Sequence, residues 1–123
     1  MDKKILIVDD DTDITLLLKN GLEDNGYFAD SYNDPRLALK NFKADYYNLM
    51  LVDIQMPNMN GFEFYHEVRK SDIKIRVCFL TAFPISFEEI RKVLPPELIN
   101  RQYIIQKPIT ITELTKRINE MLR

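Results

Sequence analysis

Short apolar runs alternate with stretches of helical periodicity along this chain. Four near-continuous apolar runs, typical of parallel strands covered on both faces, and one alternating stretch together predict five β-strands. These predicted strands are Ile5–Val8, Tyr27–Tyr32, Leu49–Asp53, Arg76–Thr81 and Tyr103–Gln106. Helical patterns separate them, so the sequence predicts a series of strand–helix units.

Signals for helix starts and stops punctuate the helical stretches. After the first strand, apolar residues recur at helical spacing until Gly26, which is placed to end that helix. Pairs typical of helix N-termini follow: Asp34 with Pro35, Asn60 with Glu63, Ser86 with Glu89, and Thr110 with Glu113. The helix that starts near Ser86 is expected to stop at Pro95-Pro96.

Alternating strands and helices of these lengths predict an α/β fold. Right-handed strand–helix–strand units give one parallel sheet with helices on both faces. Five strands fit the doubly wound, flavodoxin-like order 2-1-3-4-5. Because the chain has 123 residues and no linker, repeat or low-complexity tract, we expect a single domain over residues 1–123.

Reactive side chains follow four of the five predicted strands. They are Asp9 and Asp10 after the first strand, Asp53 after the third, Thr81 after the fourth and Lys107 after the fifth. In an open parallel sheet, ligands bind at the carboxyl ends of the strands, where the strand order reverses. The first and third strands are neighbours in the order 2-1-3-4-5, so the three aspartates are expected to meet there.

These side chains suit phosphoryl chemistry with a divalent metal. Three carboxylates held close together repel one another, and a hard cation such as Mg²⁺ relieves that repulsion and shares the oxygens of a phosphate. Asp53 is placed to act as a nucleophile towards phosphorus. Lys107 would balance charge on the transferring group, and Thr81 would donate a hydrogen bond to the acquired phosphoryl group.

The net charge and the cysteine content limit which binding partners and which cellular compartment we expect. The net charge of −2 gives no electrostatic case for direct binding to nucleic acid or to an anionic membrane. The single cysteine, Cys78, lies in an apolar run and has no internal disulfide partner, which favours a reducing compartment. The first apolar run is too short for a signal sequence or a membrane span. We therefore expect a cytoplasmic protein.

Five motifs in this order resemble those of the response-regulator receiver domain of two-component signalling. They are Ile5–Asp10, Asp53, Met56–Gly61, Thr81-Ala82 and Lys107-Pro108. The resemblance covers essentially the whole chain. It implies a signalling module that phosphorylates and dephosphorylates itself and turns over no external substrate, so it is not an enzyme in the ordinary sense.

The resemblance also implies which acidic residue accepts the phosphoryl group and which residues bind the metal. Asp53 would be the phosphoacceptor, charged by a phosphohistidine on a sensor histidine kinase or phosphotransfer protein. Asp10 and Asp53 would ligate Mg²⁺, with Mn²⁺ as an alternative, together with the backbone carbonyl of Gln55. Asp9 would assist the metal through water.

The remaining implied roles concern switching and output. Thr81 would be the switch hydroxyl and Lys107 the phosphate-pairing cation, with a cis peptide bond between Lys107 and Pro108. Gln55 and Phe83 occupy positions that tune the lifetime of the phosphoryl group in this family. The output would be a downstream protein, or a homodimer through the fourth helix, fifth strand and fifth helix.

Two features depart from the family pattern. Ile104 stands where the family usually has an aromatic residue that couples to the switch hydroxyl, and Tyr103 is its neighbour. Adjacent strand residues point to opposite faces, so Tyr103 replaces that aromatic residue only if the strand is bulged. The stretch from Pro84 to Arg101 is a few residues longer than usual. We expect muted or altered switching and an unusual partner surface.

Two alternative functions remain at this point. One is a binding module on the same fold that works without phosphorylation, an interpretation that Ile104 favours weakly. The other is a haloacid-dehalogenase-like phosphatase, in which Asp9 and Asp11 would form the Asp-x-Asp motif. That reading leaves Asp53 without a role, and Asp11 is itself expected to cap the first helix.

Overall fold

The computed structural model describes residues 3–82, 88, 92 and 103–123, and the bounds of its strands and helices follow the predicted alternation. The strands are β1 (Lys4–Val8), β2 (Phe28–Tyr32), β3 (Leu49–Asp53), β4 (Arg76–Thr81) and β5 (Ile104–Gln106). The helices in the described part of the chain are α1 (Thr12–Asp24), α2 (Pro35–Lys40), α3 (Gly61–Arg69) and the C-terminal helix (Ile111–Met121), which is the fifth helix of the prediction.

All neighbouring strands of the sheet are parallel, in the order β2-β1-β3-β4-β5. The predicted doubly wound order is therefore confirmed. Val8 pairs with Val52, and Val52 pairs with Phe79, so β1, β3 and β4 end side by side. This register brings the residues that follow β1 next to the end of β3.

Alternate strand residues build two separate apolar layers, one on each face of the sheet. Leu6 and Val8 point into the layer that also holds Phe64 and Val68 of α3. Ile5 and Ile7 point into the layer beneath α1 and the C-terminal helix, with Leu114 and Ile118. Both faces are buried, which explains why the strands are near-continuous apolar runs.

Side-chain caps start the described helices where the sequence predicts them. Asp34 accepts the backbone N–H of Arg36, with Pro35 in the first turn of α2. Asn60 and Glu63 form a reciprocal capping box at the start of α3. Thr110 accepts the N–H of Glu113 at the C-terminal helix. These contacts satisfy backbone donors that a helix leaves unpaired.

Several element ends differ from the predicted ones by a few residues. β1 begins at Lys4, one residue early, and β5 begins at Ile104, whose partner on β4 is Phe79. Tyr103, predicted as the first residue of the fifth strand, lies before it. α1 ends at Asp24, with Gly26 at a φ of +91° in the turn that follows. The predicted helix from Ser86 to Pro95-Pro96 lies outside the described residues.

One backbone carbonyl at the β2 edge of the sheet accepts a hydrogen bond from a lysine. Phe28 donates its N–H to Lys3 and Tyr32 accepts from Asp9 on the β1 side, so the carbonyl of Ala29, between them, faces outward. Lys19 of α1 donates its ammonium group to that carbonyl. Within residues 3–82 and 103–123, no helix has the length and apolarity that crossing a bilayer requires.

Candidate functional site

Three carboxylates meet at the carboxyl ends of β1 and β3. Oxygens of Asp9, Asp10 and Asp53 all lie within 4.8 Å of one another. Asp9 is fully buried and Asp53 is 6% exposed, whereas Asp10 opens to solvent. The structure therefore brings together the three acidic residues that the sequence places after adjacent strands.

Lys107 supplies a cation to this cluster. Its ammonium nitrogen lies 2.7 Å from Oδ2 of Asp9 and 3.5 Å from Oδ2 of Asp53. The backbone N–H of Lys107 donates to the carbonyl of Thr81 at 2.7 Å, which ties the residue to the end of β4. The Lys107-Pro108 peptide bond is cis. One lysine faces three carboxylates, so the site keeps a net negative charge.

Burial and like charge change the acid–base properties of the site. Burial, together with the charge of Asp9, raises the pKa of Asp53 to about 6, although the N–H of Gln55 and the Lys107 cation act in the opposite direction. Burial alone would lower the pKa of Lys107, but its hydrogen bond to Asp9 and the charges of Asp9 and Asp53 outweigh burial and raise it. Lys107 is therefore charged at neutral pH, and Asp53 loses its proton in the neutral range.

Backbone and side-chain donors fix the loop after β1. Oδ1 of Asp9 accepts the N–H of Asp11 at 3.0 Å, and Asp11 in turn caps α1 by accepting from Asp13 and Ile14. The side-chain amide of Asn33 donates to the backbone carbonyl of Asp9 at 2.9 Å. These contacts hold the aspartates in place without using up all of their oxygens.

Sequence reasoning missed Asn33. Its amide nitrogen also lies 2.9 Å from the hydroxyl oxygen of Thr15, so it links α1 to the end of β1. In the sequence, Asn33 is a polar residue directly before the helix-capping Asp34, and no motif distinguishes it from an ordinary turn residue. Only the strand order, with β2 beside β1, shows that it reaches the acidic loop.

The loop after β3 depends on a glycine. The N–H of Gln55 donates to Oδ1 of Asp53 at 3.2 Å, and the N–H of Gly61 donates to the carbonyl of Ile54 at 2.9 Å. A Cβ atom at Gly61 would lie 2.5 Å from the carbonyl oxygen of Asp53, closer than real contacts allow. The first residue of α3 therefore has to be glycine for the loop to close behind the carboxylate.

The predicted switch residues lie beside the acidic cluster. Thr81 is 2% exposed at the end of β4 and pairs with Gln106 of β5. Ile104 is half-buried and packs against the apolar layer that contains Phe79. Tyr103 is half-buried just before the strand. Phe83 and the stretch from Pro84 to Arg101 include only residues 88 and 92 among those described, so their predicted roles lie outside the described structure.

The donor set fits a hard divalent cation. Three carboxylate groups converge, two of them buried, and the single nearby lysine leaves negative charge uncompensated. Mg²⁺ prefers carboxylate oxygens, keeps several waters and needs an opening to solvent, and the exposed Asp10 lies at such an opening.

The geometry also separates this site from that of the phosphatase alternative. That alternative needs the carboxylate of Asp11, but Asp11 accepts the backbone N–H groups of α1 and is not among the three converging residues. Glu113, an acidic residue after Lys107, is exposed on the C-terminal helix, pairs with Arg117 and is not part of the cluster either. Asp53, which the phosphatase would not use, lies in the centre of the cluster.

The doubly wound sheet carries acidic residues at its switch point and a lysine directly after β5, an arrangement suited to accepting a phosphoryl group. The family model of the response regulator receiver domain matches residues 5–119 of the chain. The chain therefore belongs to the response regulator receiver domain family, the phosphoacceptor module of two-component signalling.

Relatives of known sequence are transcriptional regulators. The chain is 35% identical over 125 residues to the transcriptional regulatory protein RprY of Bacteroides fragilis, covering 100% of this chain and 51% of that protein. It is 34% identical to the alkaline phosphatase synthesis transcriptional regulatory protein PhoP of Bacillus subtilis, covering 100% of this chain and 50% of that protein. The chain thus spans about half the length of these relatives.

Solved structures share the fold over nearly the whole chain. The response regulator TrrA of Thermotoga maritima, solved in complex with Mg²⁺-BeF, has 32% sequence identity and a TM-score of 0.78, covering 98% of this chain and 99% of that chain. The chemotaxis response regulator CheY4 of Vibrio cholerae has 27% identity and a TM-score of 0.83, covering 99% and 100% respectively.

Proposed function

We propose that Asp53 is the phosphoacceptor of this receiver domain and takes its phosphoryl group from a phosphohistidine on a sensor histidine kinase or phosphotransfer protein. One observation carries the proposal. Asp53 ends β3, its carboxylate converges with those of Asp9 and Asp10, and the Lys107 ammonium nitrogen lies 3.5 Å from its Oδ2. A nucleophile, a cation-binding site and a phosphate-pairing cation are thus all present within one crevice.

The transfer follows from the positions of these groups. An oxygen of Asp53 attacks phosphorus, the phosphorus–nitrogen bond of the donor breaks, and its electron pair returns to the imidazole ring. Lys107 balances the charge on the transferred group, and the hydroxyl of Thr81 donates to it. Because Lys107 already pairs most closely with Asp9, the incoming phosphoryl group competes with Asp9 for this cation.

The metal ligands in this proposal are Asp10, Asp53 and the backbone carbonyl of Gln55, with Asp9 acting through water. Mg²⁺ would neutralise charge shared by the carboxylates and the phosphoryl oxygens. The Mg²⁺-BeF complex of TrrA supports this assignment, since that protein shares the fold and 32% of its residues with the chain.

The output side of the proposal follows from the relatives. We place the whole of residues 1–123 in one cytoplasmic receiver domain that acts on a downstream output protein or on a second copy of itself through the fourth helix, fifth strand and fifth helix. Gln55 is exposed beside Asp53, a position from which it would influence the water that hydrolyses the phosphoryl group. We assign Phe83 the same influence from its position two residues after Thr81.

Intact-mass measurement after incubation with acetyl phosphate tests the acceptor. The expected result is one added phosphoryl group that requires Mg²⁺, is lost in Asp53→Ala and persists in the control Asp24→Asn, which changes an exposed carboxylate at the end of α1. An adduct of equal yield in Asp53→Ala would show that another residue is the acceptor.

The alternative of a phosphorylation-independent binding module rests on Ile104. This residue packs an aliphatic side chain where the family usually has an aromatic reporter of the switch. A beryllofluoride titration followed by NMR distinguishes the two functions. A switching receiver should show shifts from Asp53 and Thr81 through β5 to the C-terminal helix, whereas a binding module should show none beyond the acidic crevice.

A further inference from the structure

A second charged site lies at the opposite end of the sheet, and it carries the opposite charge. A pocket of about 380 Å³ opens at the amino ends of the strands. Its cationic lining residues are Lys3, Lys74, Arg76 and Arg123. They come from the residue before β1, the turn before β4, the first residue of β4 and the second residue after the C-terminal helix. The fold therefore brings four cations from three distant parts of the chain to one place.

This basic pocket is separate from the phosphoacceptor crevice. Asn48, which also lines it, directly precedes β3, whereas Asp53 is the last residue of that strand. Five strand residues at their usual rise place the two ends of β3 about 13 Å apart. A ligand in the basic pocket would therefore not contact the acidic cluster.

The cations of the basic pocket are not paired with any acidic side chain that the structure describes. Among the residues that the structure describes, no carboxylate lies within ion-pairing distance of any of the four. Asp72, two residues before Lys74, is buried and accepts the backbone N–H groups of Asp45 and Lys74. Such a concentration of positive charge attracts anions to this end of the sheet, although the protein as a whole has a net charge of −2.

The polar groups that line the pocket are almost all donors. Asn48 uses its side-chain oxygen to accept the N–H of Lys4, which leaves its amide nitrogen for another acceptor. Arg76 donates from one guanidinium nitrogen to the carbonyl of Met121 and keeps its other N–H groups. Tyr47 donates its hydroxyl to Asp30 at 2.7 Å. Arginine forks and lysine ammonium groups together match the oxygens of phosphate.

We propose that the basic pocket binds a small multivalent phosphate, such as a di- or triphosphate group. The terminal group of such a chain carries about 1.5 to 2 negative charges near neutral pH and each inner group carries about one, so two or three groups match four cations. The volume lies at the lower end of the range of small-molecule sites, which run from about 300 to 1,000 Å³. The apolar lining is limited to Leu122 and the ring of Tyr47, which favours a phosphate chain over a nucleoside.

Binding there would connect two parts of the fold. Arg76 begins β4, and Leu122 and Arg123 follow the C-terminal helix. An anion shared by these residues would hold the end of that helix against the start of β4.

Calorimetric titration of the protein with tripolyphosphate, in metal-free buffer at moderate salt, tests the proposal. We expect saturable binding at one site per chain, weakened at least about tenfold in Lys74→Gln/Arg76→Gln, since each charge-assisted contact is strong. The control Lys40→Gln/Lys70→Gln removes two exposed lysines elsewhere and should leave the affinity unchanged. Phosphorylation of either variant by acetyl phosphate should match the wild type.

NMR of the wild-type protein keeps the test independent of the variants' folding. Tripolyphosphate should shift the amide signals of Asn48, Lys74 and Arg76 and leave those of Asp10 and Gln55 in place. Citrate and a random-sequence DNA duplex, at equal charge concentration, identify the source of the anion. The proposal is overturned by absent or non-saturable binding, by equal losses in both double variants, or by tighter binding of citrate or DNA than of tripolyphosphate.

Discussion

The two ends of the sheet have the same backbone architecture and opposite chemistry. At the carboxyl end, three carboxylates converge beside Lys107, and two of them are buried. At the amino end, four cations line an open pocket, and none of them pairs with a carboxylate among the described residues. The parallel register determines which strand ends lie side by side, and the residues just outside each strand determine the charge at that end of the sheet.

The comparison also teaches how burial changes the energetic weight of charge. Asp9 and Asp53 are buried, so water cannot stabilise their negative charges. Lys107 or a bound cation has to balance those charges instead. Lys74, Arg76 and Arg123 are exposed, and water screens them. Substitutions at the acidic end should therefore change stability strongly, and substitutions at the basic end should change it little.

The largest effect is expected from Lys107→Met. Removing the cation that pairs with Asp9 and Asp53 leaves two buried carboxylates without this partner, which should lower the free energy of unfolding by about 3 kcal/mol in metal-free buffer. Urea unfolding followed by circular dichroism measures this loss. Millimolar Mg²⁺ should recover part of it, and Lys40→Met, an exposed lysine of α2, serves as the control. An unchanged midpoint would mean that the two aspartates are not charged together in the folded protein.

Asp53→Asn is expected to stabilise the metal-free protein. Folding raises the pKa of Asp53 from 3.8 to about 6, so the folded state holds the proton more tightly than the unfolded chain. Stability from this group is complete below the unfolded pKa and is lost as pH rises from about 4 to about 6. At pH 7 the variant should therefore be more stable than the wild type by about 1–2 kcal/mol, after allowing for solvent screening.

A pH series of unfolding curves measures this effect and supplies its control. The advantage of Asp53→Asn should disappear near pH 4, where the carboxyl group is protonated in both states. Saturating Mg²⁺ should also remove it, because metal binding stabilises only the wild-type site. A constant advantage at every pH would instead point to packing, and Asp24→Asn should show almost none.

A smaller effect is expected from Asn33→Ala, which removes the two contacts that link α1 to the acidic loop. Losing the bonds to the Asp9 carbonyl and the Thr15 hydroxyl should cost about 1 kcal/mol. The affinity for Mg²⁺ should also fall several-fold, because the ligand loop is less firmly held. Tb³⁺ or Mg²⁺ titration monitored by fluorescence or NMR measures it, with exposed Asn20→Ala as the matched control.

The smallest stability effect is expected at the basic end. Lys74→Gln/Arg76→Gln should change the free energy of unfolding by less than about 0.5 kcal/mol, and a gain at low ionic strength should vanish at high salt. Urea unfolding at two salt concentrations measures this. A loss of several kcal/mol would show that these residues hold the fold together, contrary to their exposure.

Much of this molecule could be predicted from its sequence because the informative signals are local. The apolar runs predicted strands that are buried on both faces, and the pairs Asp34-Pro35 and Asn60–Glu63 predicted where two helices start. The acidic cluster followed from one further inference, the strand order, which places Asp9 beside Asp53.

Contacts between distant segments could not be predicted in the same way. The closer pairing of Lys107 with Asp9 than with Asp53 depends on side-chain geometry that no motif encodes. Lys3, Arg123 and the pair Lys74 and Arg76 come from three distant parts of the sequence, so the net charge of −2 hid their convergence. Tyr103 lies outside β5 because the pairing with β4 begins only at Ile104.

The lysine that covers the outer strand has a consequence for crowded solutions. A bare strand edge offers unpaired carbonyl and amide groups to any other chain, and sheets of separate molecules then join edge to edge. Lys19 occupies the Ala29 carbonyl with its ammonium group and places a positive charge there. A second copy approaching along β2 would find this acceptor already bonded, so edge-to-edge pairing of the kind that leads to fibrils would first have to displace the lysine.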